Sequence, residues 1–132
     1  MAVLLDTHAV IWYLLDAKEL SSEARRTIAA ALQAGEPLCL ASISLVEIVY
    51  PAEKGRLPEI ALERLNRVLI EPDAGLRVVP LDAAIAQTVR QVPRDVVPDM
   101  PDRIIVATAP QRDISLVTRD HKIRSAGIST VW

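Results

Sequence analysis

AVLLDTHAVIWYLLD (residues 2–16) is the stretch that decides the fold. It begins with an apolar run, AVLL, which reaches Asp6, and the residues after Asp6 carry apolar side chains at helical spacing. We therefore predict a buried strand over residues 2–5 and a helix over residues 7–16. A buried strand that leads directly into a helix is the repeating unit of α/β proteins.

The same alternation continues along the chain. We predict further strands at 38–41 (LCLA), 77–81, 114–118 and 129–132. Further helices are predicted from Ser21 or Ser22 to residue 33, then over 44–54, 59–70, 82–93, 102–109 and 120–126, with a proline-rich loop over 93–101. Strands that alternate with helices imply right-handed crossovers and a mostly parallel sheet covered on both faces. The fold class is therefore α/β, although this pattern does not determine the strand order.

Composition agrees with a buried parallel sheet. The chain has 132 residues and no phenylalanine, so Ala, Val, Leu and Ile must fill the core of one predicted domain, residues 1–132. A single cysteine, Cys39, and the lack of a signal peptide or membrane span favour the cytoplasm. The net charge of −2 argues mildly against a protein that coats nucleic acid, but a nuclease needs only a local basic patch.

Four acidic residues stand where the predicted strands end. Asp6 follows the first strand and Asp120 follows the strand at 114–118, while Glu47 and Asp102 belong to the starts of two helices. Because parallel strands end along one edge of the sheet, where ligands bind, these carboxylates should meet there. Clustered carboxylates repel one another and need a cation, and oxygen ligands suit Mg²⁺ or Mn²⁺.

Each of the four acids also has a purely structural explanation. Asp6 and Asp120 can cap the helices that follow them, and Asp102 can favour the positive end of its helix. Ser44 and Glu47 fit a capping box, in which Glu47 reaches back to the Ser44 amide. The four acids taken together favour the metal site over four separate caps.

Four blocks of sequence resemble, in order, the motifs of PIN-domain proteins, and most closely VapC-type toxins of bacterial toxin–antitoxin pairs. The blocks are LLDTHAVIW (4–12), SISLVEIVYPAEKGRL (42–57), PDRIIVATA (101–109) and LVTRDHKI (116–123). The resemblance implies a three-layer α/β/α sandwich and an endonuclease that cleaves RNA with Mg²⁺ or Mn²⁺. It also implies a small VapB-like antitoxin whose C-terminal tail plugs the site, and we expect a homodimer.

The resemblance assigns one acid of each block both to metal binding and to catalysis: Asp6, Glu47, Asp102 and Asp120. Thr118 matches a polar residue that can orient a ligand or a water, and Asp99 is expected to be peripheral. Val46 and Pro110 depart from the motifs of close relatives, which leaves local packing and helix length open but not the chemistry.

Other polar and aromatic residues are expected to matter less. We predict that His8 and His121 are structural or exposed rather than catalytic. Trp12 and Trp132 are expected in the core or at a dimer contact, and Cys39 in the packing of a strand. Basic residues near the proposed edge either contact RNA phosphates or are simply solvated: Arg103, Arg119, Lys122 and Arg124.

Three other functions compete with the nuclease. A receiver-like signalling domain also binds Mg²⁺ at strand ends, but it needs a lysine after a late strand, where this chain has Thr118-Arg119-Asp120. A haloacid-dehalogenase-type phosphatase needs D-x-D or D-x-T after the first strand, and the sequence from Asp6 is D-T-H. A non-catalytic binding module remains open.

Overall fold

The computed structural model describes residues 2–71, 73 and 75–132. Its elements are, in chain order, β1 (Val3–Leu5), α1 (Thr7–Leu14), α2 (Ser22–Gln33), β2 (Leu38–Ala41), α3 (Ser42–Glu53), α4 (Glu59–Ile70), β3 (Leu76–Val79), α5 (Ala83–Thr88), a 3₁₀ turn (Val89–Gln91), α6 (Met100–Arg112), β4 (Ser115–Val117), α7 (His121–Arg124) and β5 (Thr130–Val131). None of these described helices combines the length and the apolarity that crossing a bilayer requires.

The sheet has β1 at its centre, in the order β3-β2-β1-β4-β5, and every neighbouring pair is parallel. Leu4 of β1 lies opposite Cys39 of β2 on one side and Leu116 of β4 on the other. The predicted parallel sheet is therefore confirmed. The carboxyl ends of β2, β1 and β4 lie side by side at one edge.

Helices cover both faces of the sheet, as a three-layer α/β/α sandwich requires. Leu5 and Leu40 face a core formed with α1, α2, α3 and α4. Leu4, Cys39 and Leu116 face the opposite core, formed with α5, α6 and α7. The thiol of Cys39 is buried and free, in agreement with its predicted packing role. Because neighbouring residues of a strand point to opposite faces, a strand as short as β1 contributes to both cores.

Two helices differ from their predicted bounds in a way that matters for the site. α3 begins at Ser42 rather than Ser44, directly after β2, and its N-cap Ala41 makes no side-chain capping bond. α6 begins at Met100 rather than Asp102 and continues past Pro110 to Arg112. The proline in its first turn favours this early start, since the first amides of a helix need no intrahelical partner.

Smaller shifts occur at other element ends. α1 stops at Leu14 because Leu15 and the left-handed Asp16 (φ 50°) turn the chain away. β3 ends at Val79 since Pro80 has no N–H to continue the ladder. Gly35, the predicted stop after α2, has a φ of 70°, which a residue without Cβ adopts at little cost.

Candidate active site

The four predicted acids lie around one cavity of about 550 Å³ at the carboxyl edge of the sheet. Asp6 comes from the end of β1 and Asp120 from the end of β4, the neighbouring strand. Glu47 comes from the second turn of α3 and Asp102 from the first turn of α6. Asp99 lines the same cavity. Residues far apart in sequence thus meet at one place.

Asp6 and Asp120 are coupled through a buried threonine. The hydroxyl of Thr118 donates a hydrogen bond to Asp6 Oδ2 and accepts one from the backbone N–H of Asp120 at 3.0 Å. Asp6 Oδ1 also caps α1 by accepting from Ala9 N at 2.8 Å. Asp120 Oδ1 caps α7 by accepting from the backbone amides of Lys122 and Ile123. Thr118 therefore contacts two of the acids directly.

Glu47 is held by a side chain of α1. The hydroxyl of Thr7 donates to Glu47 Oε1 at 2.7 Å and lies 2.9 Å from Ser44 Oγ, which is fully buried. The capping-box alternative is wrong, because α3 starts before Ser44 and the Glu47 carboxylate points to Thr7. The bond from Thr7 links the acid of the second block to the residue that follows Asp6.

Asp102 is not the cap of α6; Asp99 is. Asp99 Oδ2 accepts from Asp102 N at 3.1 Å, which accounts for the early start of the helix. Among the described residues, the Asp102 carboxylate itself has no hydrogen bond and no ion pair. Asp102 therefore contributes a partly buried carboxylate that the protein does not neutralise.

Burial and like charge raise the pKa of two of these acids. The pKa of Asp102 is raised to about 7, first by burial and then by the negative charges of Asp99, Asp120, Glu47 and Asp6. Burial also raises the pKa of Asp6, although the hydrogen bonds from Thr118 and from Ala9 oppose this. The cavity therefore carries excess negative charge that a cation would relieve.

The donor set fits a hard divalent cation. Five carboxylates line the cavity, against one histidine and no cysteine among the described residues, and carboxylate oxygens suit Mg²⁺ and Mn²⁺ better than zinc or copper. Across the described part of the chain, no group of three or more His, Cys, Asp and Glu side chains has the arrangement of a metal-binding site. The site is thus a cavity lined with carboxylates and not a preformed ligand shell.

The raised pKa predicts how stability depends on pH when no metal is present. The folded state holds a proton on Asp102 up to a pKa of about 7, whereas the unfolded state releases it near 3.8. Raising the pH between these values therefore destabilises the fold. We expect Asp102→Asn to melt a few degrees above wild type in EDTA at pH 8, with a smaller difference at pH 5.

Thermal melts in EDTA and in millimolar Mg²⁺ test this expectation. Mg²⁺ should stabilise wild type but not the variant, because a ligand stabilises only the state that binds it. An Asp102→Asn variant that melts below wild type at both pH values would show that repulsion does not dominate at this position.

The two histidines differ in position. His8 is exposed at the rim of the cavity, with its ring 5.5 Å from that of Trp12. His121 is exposed at the start of α7 and does not line the cavity. Within the described part of the chain, neither histidine ring forms a hydrogen bond with one of the four acids.

Two of the four basic residues predicted near this edge, Arg103 and Arg119, make different contacts. For Arg103 the alternative of a simply solvated side chain is wrong, because its Nη2 donates to the carbonyls of Val89 and Val92 at 2.9 Å. Its guanidinium is used to hold the 3₁₀ turn. Arg119 instead lies over Trp12, with Cζ 4.5 Å from the ring centroid. Trp12 also packs against Trp132, at 5.7 Å between centroids, so the expected packing role of both tryptophans agrees with the structure.

Three residues at or next to the cavity are not among the site residues predicted from the sequence. Thr7 follows Asp6 directly, so its place in the first motif block was an available signal. Ser44 was interpreted as a helix cap. Arg56 lines the acidic cavity from the segment after α3, and its place in the second motif block was likewise an available signal.

Comparison with known proteins identifies the fold and the family together. The PIN domain family profile matches residues 3–128, and the chain belongs to this family. It is similar to ribonuclease VapC22 of Mycobacterium tuberculosis, with 32% identity over 123 residues, 93% of this chain and 90% of the relative. Nucleases of this kind generally depend on a divalent metal.

Solved structures agree with this assignment at the level of the fold. The chain superimposes on VapBC2 of Rickettsia felis bound to a promoter DNA fragment with a TM-score of 0.74, at 15% identity, over 98% of this chain and 97% of that one. DNA-bound VapBC of Salmonella typhimurium gives a TM-score of 0.72 at 23% identity, over 98% and 96% of the two chains. The three-layer architecture predicted from the motif blocks is therefore confirmed.

Proposed function

We propose that this protein is an endoribonuclease, the toxin of a toxin–antitoxin pair, which hydrolyses RNA phosphodiester bonds with the help of Mg²⁺ or Mn²⁺. The observation that carries the proposal is a cavity at the carboxyl edge of the sheet lined by five carboxylates. Its similarity to a ribonuclease over 93% of the chain supports the same activity.

The metal would be held by Asp6, Glu47, Asp102 and Asp120, which we propose as the catalytic and metal-binding set. When bound, a divalent ion lowers the pKa of a water molecule and stabilises negative charge on the phosphate. Mg²⁺ commonly keeps several waters and takes few protein ligands, so a loosely spaced carboxylate set suits it. Asp99 caps α6 and stays peripheral.

The neighbouring hydroxyls position these acids. Thr118 donates to one oxygen of Asp6 and leaves the charge of that carboxylate in place. Thr7 does the same for Glu47. Both threonines are buried, so their hydrogen bonds are shielded from competing water. Side chains locked in this way need little reorganisation when substrate and metal arrive.

We also propose a small VapB-like antitoxin as partner. Two solved structures that share this fold are VapBC complexes, those of Rickettsia felis and Salmonella typhimurium. An acidic cavity attracts a basic side chain, so the partner is expected to insert an arginine among the acids in place of the metal. A second cavity of about 510 Å³ between α2 and α4 is lined by apolar side chains such as Ile28 and Val68 together with three arginines, and it suits an amphipathic partner segment.

The remaining expectations concern the assembly and its place in the cell. We propose a homodimer, for which the exposed Val46 and Tyr50, one helical turn apart on α3, offer an apolar surface. That residues 1–132 form one domain and that the protein acts in the cytoplasm both stay predictions.

The test of the proposed function is RNA cleavage by the purified protein. Mixed RNA should be degraded with Mg²⁺ or Mn²⁺ and left intact in EDTA, and added metal should restore the activity. Equal cleavage after thorough metal removal would contradict the metal mechanism. A preparation that melts cooperatively, gains stability from Mg²⁺ and still cleaves no RNA would favour the non-catalytic binding module.

A further inference from the structure

Two arginines lie at the rim of the acidic cavity without pairing to its acids. Arg56 is the one arginine among the described residues that line the cavity. Arg119 lies over Trp12, which lines it too. The only ion pairs between described residues are Arg25 with Asp16 and Arg26 with Glu23, both outside this cavity. One guanidinium at the cavity and one over a residue of its wall therefore have no ionic partner among the described residues.

Contacts of its sequence neighbours and of its own side chain both fix the position of Arg119. Its neighbour Thr118 is buried and hydrogen-bonded to Asp6, and Asp120 caps α7. Its guanidinium lies 4.5 Å from the centroid of Trp12, a cation–π distance. Trp12 is itself packed by the rings of His8 and Trp132. The guanidinium therefore has a preferred place at the rim.

Arg56 is presented by a tight turn after α3. Its backbone N–H donates to the carbonyl of Pro51 at 2.8 Å, and Gly55 before it has a φ of 68°. Pro51 and Leu57 line the cavity with it. Arg56 forms no ion pair with an acid of the cavity among the described residues.

RNA needs such groups at this place. A phosphate that enters a cavity with several carboxylates is repelled unless cations lie along its path. Guanidinium groups bind phosphate oxygens through paired, charge-assisted hydrogen bonds. The protein has a net charge of −2, so a general basic surface does not supply this attraction.

We propose that Arg56 and Arg119 bind backbone phosphates of the RNA that flank the scissile phosphate, and that Trp12 is the positioning residue for Arg119. The inference rests on the proposed ribonuclease function. In this proposal Arg56 and Arg119 contact the substrate, whereas the guanidinium of Arg103 donates hydrogen bonds to backbone carbonyls of the protein.

The salt dependence of RNA binding tests the inference. The probe is a fluorescent pool of single-stranded 20-nucleotide RNAs of random sequence, measured by anisotropy in EDTA, where monovalent salt alone varies. The logarithm of the binding constant falls with the logarithm of salt concentration, and each lost phosphate contact makes this negative slope shallower by about 0.7. We expect this loss for Arg56→Ala and for Arg119→Ala, and about twice the loss for the double variant.

Matched variants isolate charge and position. Arg119→Lys should keep the slope, and Arg26→Ala, which removes a surface arginine paired to Glu23, should not change it. Trp12→Leu should lower the affinity for RNA in the wild-type background but not in the Arg119→Ala background. Trp12→Phe keeps an aromatic ring under the guanidinium and should retain most of the affinity for RNA. In cleavage assays the arginine variants should raise KM about tenfold and change kcat less than about threefold, as expected for contacts outside the reacting atoms.

Several outcomes would overturn the inference. Unchanged slopes in both arginine variants, with active wild type, would refute it and leave the proposed ribonuclease intact. A large fall in kcat at constant KM would assign the arginines to the chemical step instead. Unchanged RNA binding with weaker inhibition by the antitoxin would assign them to the partner interface. A wild type that neither binds nor cleaves RNA would refute both proposals.

Discussion

Asp102→Asn is expected to lower the rate of RNA cleavage at least about 100-fold, because it removes a charged ligand from the proposed metal site. Among the described residues the Asp102 carboxylate forms no hydrogen bond or ion pair, so its loss breaks no structural contact. Asn keeps the shape of the side chain. The variant should therefore fold normally and lose activity. Single-turnover cleavage of a labelled RNA in millimolar Mg²⁺ measures the effect.

Asp82→Asn is the matched control for this experiment. Asp82 caps α5 by accepting from Ile85 N at 2.9 Å, is exposed, and does not line the acidic cavity. The same chemical change there should leave the cleavage rate within about threefold of wild type, since Asn is nearly as good a cap as Asp. Equal losses in the two variants, or none in either, would refute the assignment of Asp102 to the active site.

Expression of the wild-type chain without its partner is expected to arrest bacterial growth. The expectation follows from the proposed toxin function, since an unrestrained ribonuclease depletes cellular RNA. Asp102→Asn should remove the arrest at equal protein level, and Asp82→Asn should not. Viable counts after induction, with immunoblots to compare expression, provide the measurement.

The partner supplies a second control for the growth experiment. Co-expression of the proposed VapB-like antitoxin should restore growth of the wild type. Arrest of equal strength by wild type and by Asp102→Asn would mean that the toxicity comes from overproduction and not from catalysis.

The structure shows why the structural and functional interpretations of the acids do not exclude each other. A carboxylate has two oxygens, and Asp120 uses one of them to cap α7 while its side chain still lines the cavity. Asp6 caps α1 with one oxygen and accepts from Thr118 with the other. The positive end of a helix and a metal ion favour the same negative charge.

This geometry predicts different effects on stability for Asp102→Asn and Asp6→Asn, which the sequence alone does not distinguish. Asn in place of Asp102 loses only charge. Asn in place of Asp6 would also replace one of two acceptor oxygens that are already in use by Ala9 and Thr118. Removal of charge at Asp6 therefore carries a structural cost that is absent at Asp102.

The sequence by itself determined the alternation of strands and helices, the parallel sheet and the four acids at its carboxyl edge. These features follow from local physics: apolar periodicity, helix caps and the side-chain alternation of buried strands act over a few residues. The bounds of α2 and of α4, and the strand at residues 38–41, agree with the structure for this reason.

Only the tertiary structure decided which side chains touch. The bond from Thr7 to Glu47 joins residues 40 apart, and that from Thr118 to Asp6 joins residues 112 apart. Arg103 donates to the backbone of the 3₁₀ turn and Arg119 lies over Trp12, although each arginine stands next to a proposed active-site acid in sequence. Such contacts depend on the order of the strands and on how the helices pack across them, and neither is encoded in the spacing of residues along the chain.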